Sequence, residues 1–344
     1  MKHKIVSVLI FSIMICLITG CQKKNHLLLK QDVFTIELGN PIQREASYYL
    51  DKEVMEEEKD NIFNEAVFSV DTCEDDFIYK YDLVYEKEGT YQASIQYKEQ
   101  TLDFEIVIKD TRAPVILGNN EDELEVFDYN DVYDYDIDGD VVSVSDIAGH
   151  QSSKLIHQEI KESIQLDVPY YNQNDVNSPN GCETTSLYMA LKYENQIDSD
   201  LASFIKNEPY DVNPYYGFSG DPFGICQKTD DYYTIFPTPL VTYGSQYASC
   251  QDISGSSLTD IKAYLSQDCP VLVWVTGRFQ EPIMKTFYFG EVTGNLHIVL
   301  LTGYDEEKKV FYINDPAIKD LTEVSYQQFE RVYNSMKFAV AVGE

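Results

Sequence analysis

Apolar residues along this chain fall into three patterns. The first is an unbroken run, IVSVLIFSIMICLI, between the basic start Met1-Lys2-His3-Lys4 and Thr19-Gly20-Cys21. It is short for a membrane span and has the flanks of a secretory leader, expected over 1–20, with a spacer over 21–31. The second pattern covers 32–110. VFTIELG, AVFSV, FIYKYDLVYE, GTYQASIQY and LDFEIVIKD are short runs rich in Val, Ile, Phe and Tyr. Several alternate with period two, and turn residues separate them, which predicts a small all-β sandwich. A truncated second β repeat is expected over 111–150. The stretch QSSKLIHQEIKE, 151–162, is polar and predicts a linker or short helix. The third pattern, 163–344, mixes helix-like and strand-like segments and predicts one α+β domain, so the fold class is multidomain.

Charge narrows the partners. The chain carries a formal charge of −32. Such a surface repels phosphate backbones, so no nucleic-acid partner is expected. After the leader no apolar run is long enough to span a bilayer. The Asp-rich stretch Asp134, Asp136, Asp138, Gly139 matches the opening of an EF-hand loop, but Ser145 stands where the bidentate acid belongs. An Asp-Gly turn in an acidic hairpin is the plainer reading, and neither metal nor cofactor is expected at a functional site.

The seven cysteines are Cys16, Cys21, Cys73, Cys182, Cys226, Cys250 and Cys269. None has C-x-x-C spacing, which argues against a zinc knuckle or thioredoxin-type site. With two in the leader region an odd number remains, so at least one thiol should be free. Cys226 and Cys250 could pair, but free buried thiols are the expectation for them.

Cys182 follows the turn residues Ser178-Pro179-Asn180-Gly181 and opens a helical pattern with Leu187, Ala190, Leu191 and Glu194 on one face. In a first helical turn, unpaired N–H groups and the macrodipole favour a thiolate. A structural thiol fits there equally well, so the pattern alone leaves the role open. A nucleophile needs a base, and of the histidines only His297 lies inside the third segment. HIVLLTGYDEEKKVFYINDP reads as a hairpin, which sets Asp315 or its neighbour directly opposite His297. Asp315 could then orient the imidazole. Asp305 is the rival, but it lies some ~25 Å along the strand at about 3.3 Å per residue. Upstream, Gln173 offers an amide donor for an oxyanion, although a surface glutamine would look the same.

Three resemblances add to this reading. LITGC resembles the lipobox of bacterial lipoproteins. It implies lipidation at Cys21 and a chain tethered to the outer face of a bacterial cell membrane. EKEGTYQASIQYKEQTLDFEIVIKDTRAPVI resembles bacterial immunoglobulin-like repeats, with their Gly-Thr-Tyr strand start and Asp-Thr-x-Ala-Pro junction. LDVPYYNQNDVNSPNGCETTSLYMALKY, CPVLVWVT and HIVLLTGYDEEKKVFYINDP resemble papain-like cysteine peptidases related to the bacteriocin-processing, double-glycine-leader peptidases. This last resemblance implies Cys182 as nucleophile, His297 as general base and acid, Asp315 as orienter and Gln173 as oxyanion donor. It implies a peptide or protein substrate. Cys269 stands where a glycine is more usual, which should affect packing only. The aromatics of the insert YDVNPYYGFSGDPFGICQKTDDYYTIFPTPL could line a groove or build core. Two other functions stay open: an acyltransferase or transamidase using the same residues, and a non-catalytic surface binding protein.

Overall fold

The computed structural model describes residues 27–51, 62, 65–71, 77–79, 82–85, 87–128, 132–225 and 232–343. The expected leader, Cys21, and with them Cys16, Cys73 and Cys226, lie outside the described residues. No helix among the described residues is long and apolar enough to cross a membrane. The chain divides into two compact units, one of 1–34, 44–73 and 90–106, the other of 35–43, 74–89 and 107–344. This division cuts across the boundary expected at 110.

In the first unit, period-two alternation works as read. Tyr91, Ala93, Ile95 and Tyr97 turn inward along Gly89–Tyr97, as do Phe104 and Ile106 on Gln100–Lys109. These strands form a four-stranded sheet with Val33–Glu37 and Val67–Val70. Phe34, Tyr49, Phe68 and Phe104 form an aromatic cluster with centroids 4.9–6.2 Å apart. Such contacts add to simple area burial. The described residues of this unit make one sheet, not the facing pair that a sandwich requires.

In the second unit, Val132–Asp138, Val141–Asp146 and Gln151–Leu155 form a three-stranded sheet. Its small core is Ile116, Val142, Val144 and Ile156. Asp138 pairs with Val141, so Gly139 (φ +63°) and Asp140 make a two-residue turn. The Asp-rich stretch is therefore a hairpin. The expected linker 151–162 is corrected at its start, where Val141 pairs with Leu155 through a ladder ending at Ser145 and Gln151. Polarity misled here because the Lys154 ammonium is buried, and Asp260 supplies the counter-charge that permits it.

The remaining elements of this unit carry the site. The helices are α1 Cys182–Tyr193, α2 Leu201–Lys206, α3 Pro237–Gly244, α4 Leu258–Ser266 and α5 Tyr326–Tyr333. The strands are β1 Ser163–Gln165, β2 Cys250–Asp252, β3 Val271–Thr276, β4 Leu296–Asp305, β5 Val310–Asn314, β6 Glu323–Ser325 and β7 Ala339–Val342. They form a sheet in the order β2-β7-β3-β4-β5-β6, with β1 paired to the end of β4. β3 is buried at every position, as its continuous apolar run requires of a central strand. In α1 every residue from Glu183 to Leu191 is buried, so the helix is enclosed on all sides rather than amphipathic. Its run of Thr184, Thr185 and Ser186 is small enough for that enclosure.

Candidate active site

Gly181 is the N-cap of α1 and makes no side-chain cap. A Cβ there would run into Ser178 Oγ, so the turn closes only around a glycine. Ser178 Oγ donates to Pro222 O at 2.9 Å, and Asn180 Nδ2 donates to Gly224 O at 2.8 Å. The insert thereby clamps the turn that presents Cys182. The aromatics Tyr215, Phe218, Tyr232 and Phe236 of the insert are buried, while Tyr210 is exposed.

Cys182 is half-buried and is not in a disulfide. Its thiol donates to Glu183 Oε2 at 3.1 Å, and the Ile298 N–H faces its sulfur. Burial first, then the Glu183 carboxyl, push the thiol well above its ordinary value. This reverses the expectation of a depressed thiol, because desolvation outweighs the helix terminus. Burial likewise pushes Cys250 up to about 12 and Cys269 up to about 11, and neither is in a disulfide. Cys269 sits in the core against Gln267 O, a packing role.

His297 lies on β4 beside Ile298 and pairs across to Val275 of β3. Its Nε2 is 2.9 Å from Asp315 Oδ1. That oxygen already accepts the N–H groups of Ala317 at 2.8 Å and Ile318 at 3.0 Å. It is an acceptor, so Nε2 carries the ring proton and Nδ1 presents a lone pair. Asp315 is 1% exposed, and its Oδ2 has no hydrogen-bond partner among the described residues. The pairing differs from the direct opposition expected. Leu300 pairs with Asn314, and a bulge follows between Leu301 and Gly303. Extending the 300–314 register sets Asp315 across from Val299, two residues from His297. The contact is therefore a diagonal one, which a long ring and a carboxylate can span.

Gln173 opens a 3-10 turn and is 3% exposed, not a surface residue. Its backbone N–H donates to Pro316 O at 2.9 Å, which brings it beside Asp315. Its Nε2 donates to Pro179 O at 2.8 Å, leaving one amide hydrogen for a second acceptor.

Glu183 escaped the sequence reading as a site residue. It is 1% exposed, and its Oε1 accepts the Thr234 hydroxyl and, at 3.3 Å, the Ile235 N–H. The signal was present: four residues before Leu187 and eight before Leu191, Glu183 shares the apolar face of α1. Thr184 Oγ1 donates to a second buried carboxyl, Glu208.

The sequence pattern of the Peptidase_C39 like family matches residues 165–341. The uncharacterized protein YvpB of Bacillus subtilis (strain 168) is 31% identical over 211 residues, spanning 57% of this chain and 81% of that protein. A solved putative C39-like peptidase from Bacillus anthracis is 25% identical with a TM-score of 0.47, covering 54% of this chain and 98% of its own. Xylellain, a cysteine protease from Xylella fastidiosa, is 12% identical with a TM-score of 0.31, covering 54% and 87%.

Proposed function

The chain belongs to the Peptidase_C39 like family, and on that premise we propose that it hydrolyses peptide bonds through Cys182, His297 and Asp315. The observation that carries this reading is the ordered imidazole: Asp315 holds Nε2, and Nδ1 is left with a lone pair, next in sequence to the Ile298 N–H that faces the Cys182 sulfur. The Cys182 proton passes to His297 Nδ1, and the thiolate attacks the scissile carbonyl. The oxyanion is met by the remaining amide hydrogen of Gln173 and the Cys182 N–H at the helix start. The imidazolium returns its proton to the leaving amine. Water, deprotonated by His297, then releases the acyl group. We propose further that a lipid on Cys21 tethers the protein at the outer face of a bacterial membrane.

The test is hydrolysis of a peptide library by the wild type, Cys182→Ala and His297→Ala, with products read by mass spectrometry and with and without an added amine. Cleavage that needs both residues is expected. Products carrying the amine would make the protein an acyltransferase instead. Equal cleavage by the wild type and Cys182→Ala would end the proposal.

A further inference from the structure

Glu183 has no task in the acyl-transfer steps, yet it touches their nucleophile. Its Oε1 accepts two donors, from Thr234 and Ile235, so a proton on this carboxyl sits on Oε2, the oxygen 3.1 Å from Cys182 Sγ. No lysine or arginine among the described residues pairs with it; burial is the main influence on it and pushes it above its ordinary value, partly offset by the Thr234 hydroxyl. The titratable groups nearby are Glu208, reached through Thr184 from the segment after α2, and Tyr232 of the insert. On the strand side, Asp315 acts on the thiol, and His297 stands beside Ile298. Except for His297 these groups are neutral or acidic, so no charge among them favours a carboxylate; the hydrogen bonds from Thr234 and Ile235 do, and burial outweighs them.

We propose that Glu183 is a positioning residue whose own proton sets the state of the Cys182 sulfur. When Glu183 is neutral, Oε2–H donates to a thiolate, the thiol proton having passed to His297 Nδ1. When Glu183 is ionised, the thiol keeps its proton and donates it to Oε2, and the imidazole stays neutral. No proton is gained or lost in the pair beyond the one Glu183 exchanges with solvent. A carboxylate beside a thiolate disfavours both charges, and a carboxylic acid beside it removes that repulsion and adds a hydrogen bond. The inference rests on Cys182 being the nucleophile proposed above.

The test measures alkylation of Cys182 by iodoacetamide, read on its own peptide by mass spectrometry, from about pH 5 to 9, a window chosen around carboxyl and imidazole titration. Wild type, Glu183→Gln, Thr234→Val and His297→Ala are compared. The wild-type rate should fall as pH rises through the Glu183 titration. Glu183→Gln keeps a donor at the sulfur but does not titrate, so the fall should vanish and its rate above the titration should exceed wild type by ~10-fold. Thr234→Val removes a donor that favours the carboxylate and should move the fall to higher pH. A Glu183→Gln profile that superimposes on wild type overturns the proposal. Should that variant not fold, an unmoved Thr234→Val profile does the same. His297→Ala judges the nucleophile separately: an unchanged profile there sinks the catalytic reading, whatever Glu183→Gln shows.

Discussion

Asp315 makes three bonds with one oxygen, two to backbone and one to His297. Removing it therefore has two separable effects. Asp315→Ala orphans the Ala317 and Ile318 N–H groups and should cost about 1–3 kcal/mol in a urea titration. It also frees the imidazole to turn and should lower kcat by ~10²-fold or more. Asp315→Asn keeps an acceptor for the turn, so its stability should stay near wild type while kcat still falls, since the amide cannot stabilise an imidazolium. The contact of His297 with Asp315 was legible because histidine is scarce and the hairpin brings the ends of its two strands together. Their diagonal pairing was not, because the turn at 306–309 offsets the strands and a one-residue bulge then shifts the register, and no alternation pattern marks either. The Cys182 environment was read with the wrong sign for a similar reason. Helix position is local and visible in sequence, whereas burial dominates, and the groups that face the sulfur beyond its own helix, Ile298 and Asp315, are distant along the chain.

Helix α1 and strand β4 depend on glycines for close approach. A Cβ on Gly181 would meet Ser178 Oγ and, at 3.2 Å, Ile205 Cδ1. Gly181→Ala should lower stability by about 1–3 kcal/mol, measured by urea unfolding, and should slow Cys182 alkylation by displacing the turn. Adding Ser178→Ala should recover part of the stability, because the serine oxygen is the nearer obstacle. Gly303 (φ +157°) lies at the bulge, where a side chain would meet the Ile164 carbonyl and break the pairing of β1 with β4. The existence of α1 and of the β4–β5 hairpin follows from periodicity and turn chemistry alone. The total burial of α1 does not, since its threonines and its glutamate look exposed until Glu208 and Thr234 are folded against them.

Across the second unit, the buried Lys154–Asp260 pair ties the segment once read as a linker to the first turn of α4, where Asp260 also completes a capping box with Ser257. Lys154→Met should cost about 3 kcal/mol or more by leaving Asp260 buried with its charge uncompensated. Burial pushes Asp260 up, but Lys154 and Ser257 together hold it below its ordinary value of 3.8. The folded chain thus binds this proton less readily than the unfolded one. The pair's contribution is whole above the unfolded value and is lost as pH falls through the lower folded value. Asp260→Asn should accordingly flatten the decline of Tm below about pH 4, at the expense of a lower Tm at neutral pH. The site has its own long-range bookkeeping. Gln173 is joined to Pro316, Asp315 to His297, Ile298 to Cys182, and Pro179 back to Gln173. These links form a closed circuit, and the tip of the β4–β5 hairpin, residues 306–309, lies outside it. The tip is thus a seam: a nick there would cut no link of the circuit, and the Gln173–Pro316 and His297–Asp315 contacts would bridge the two fragments.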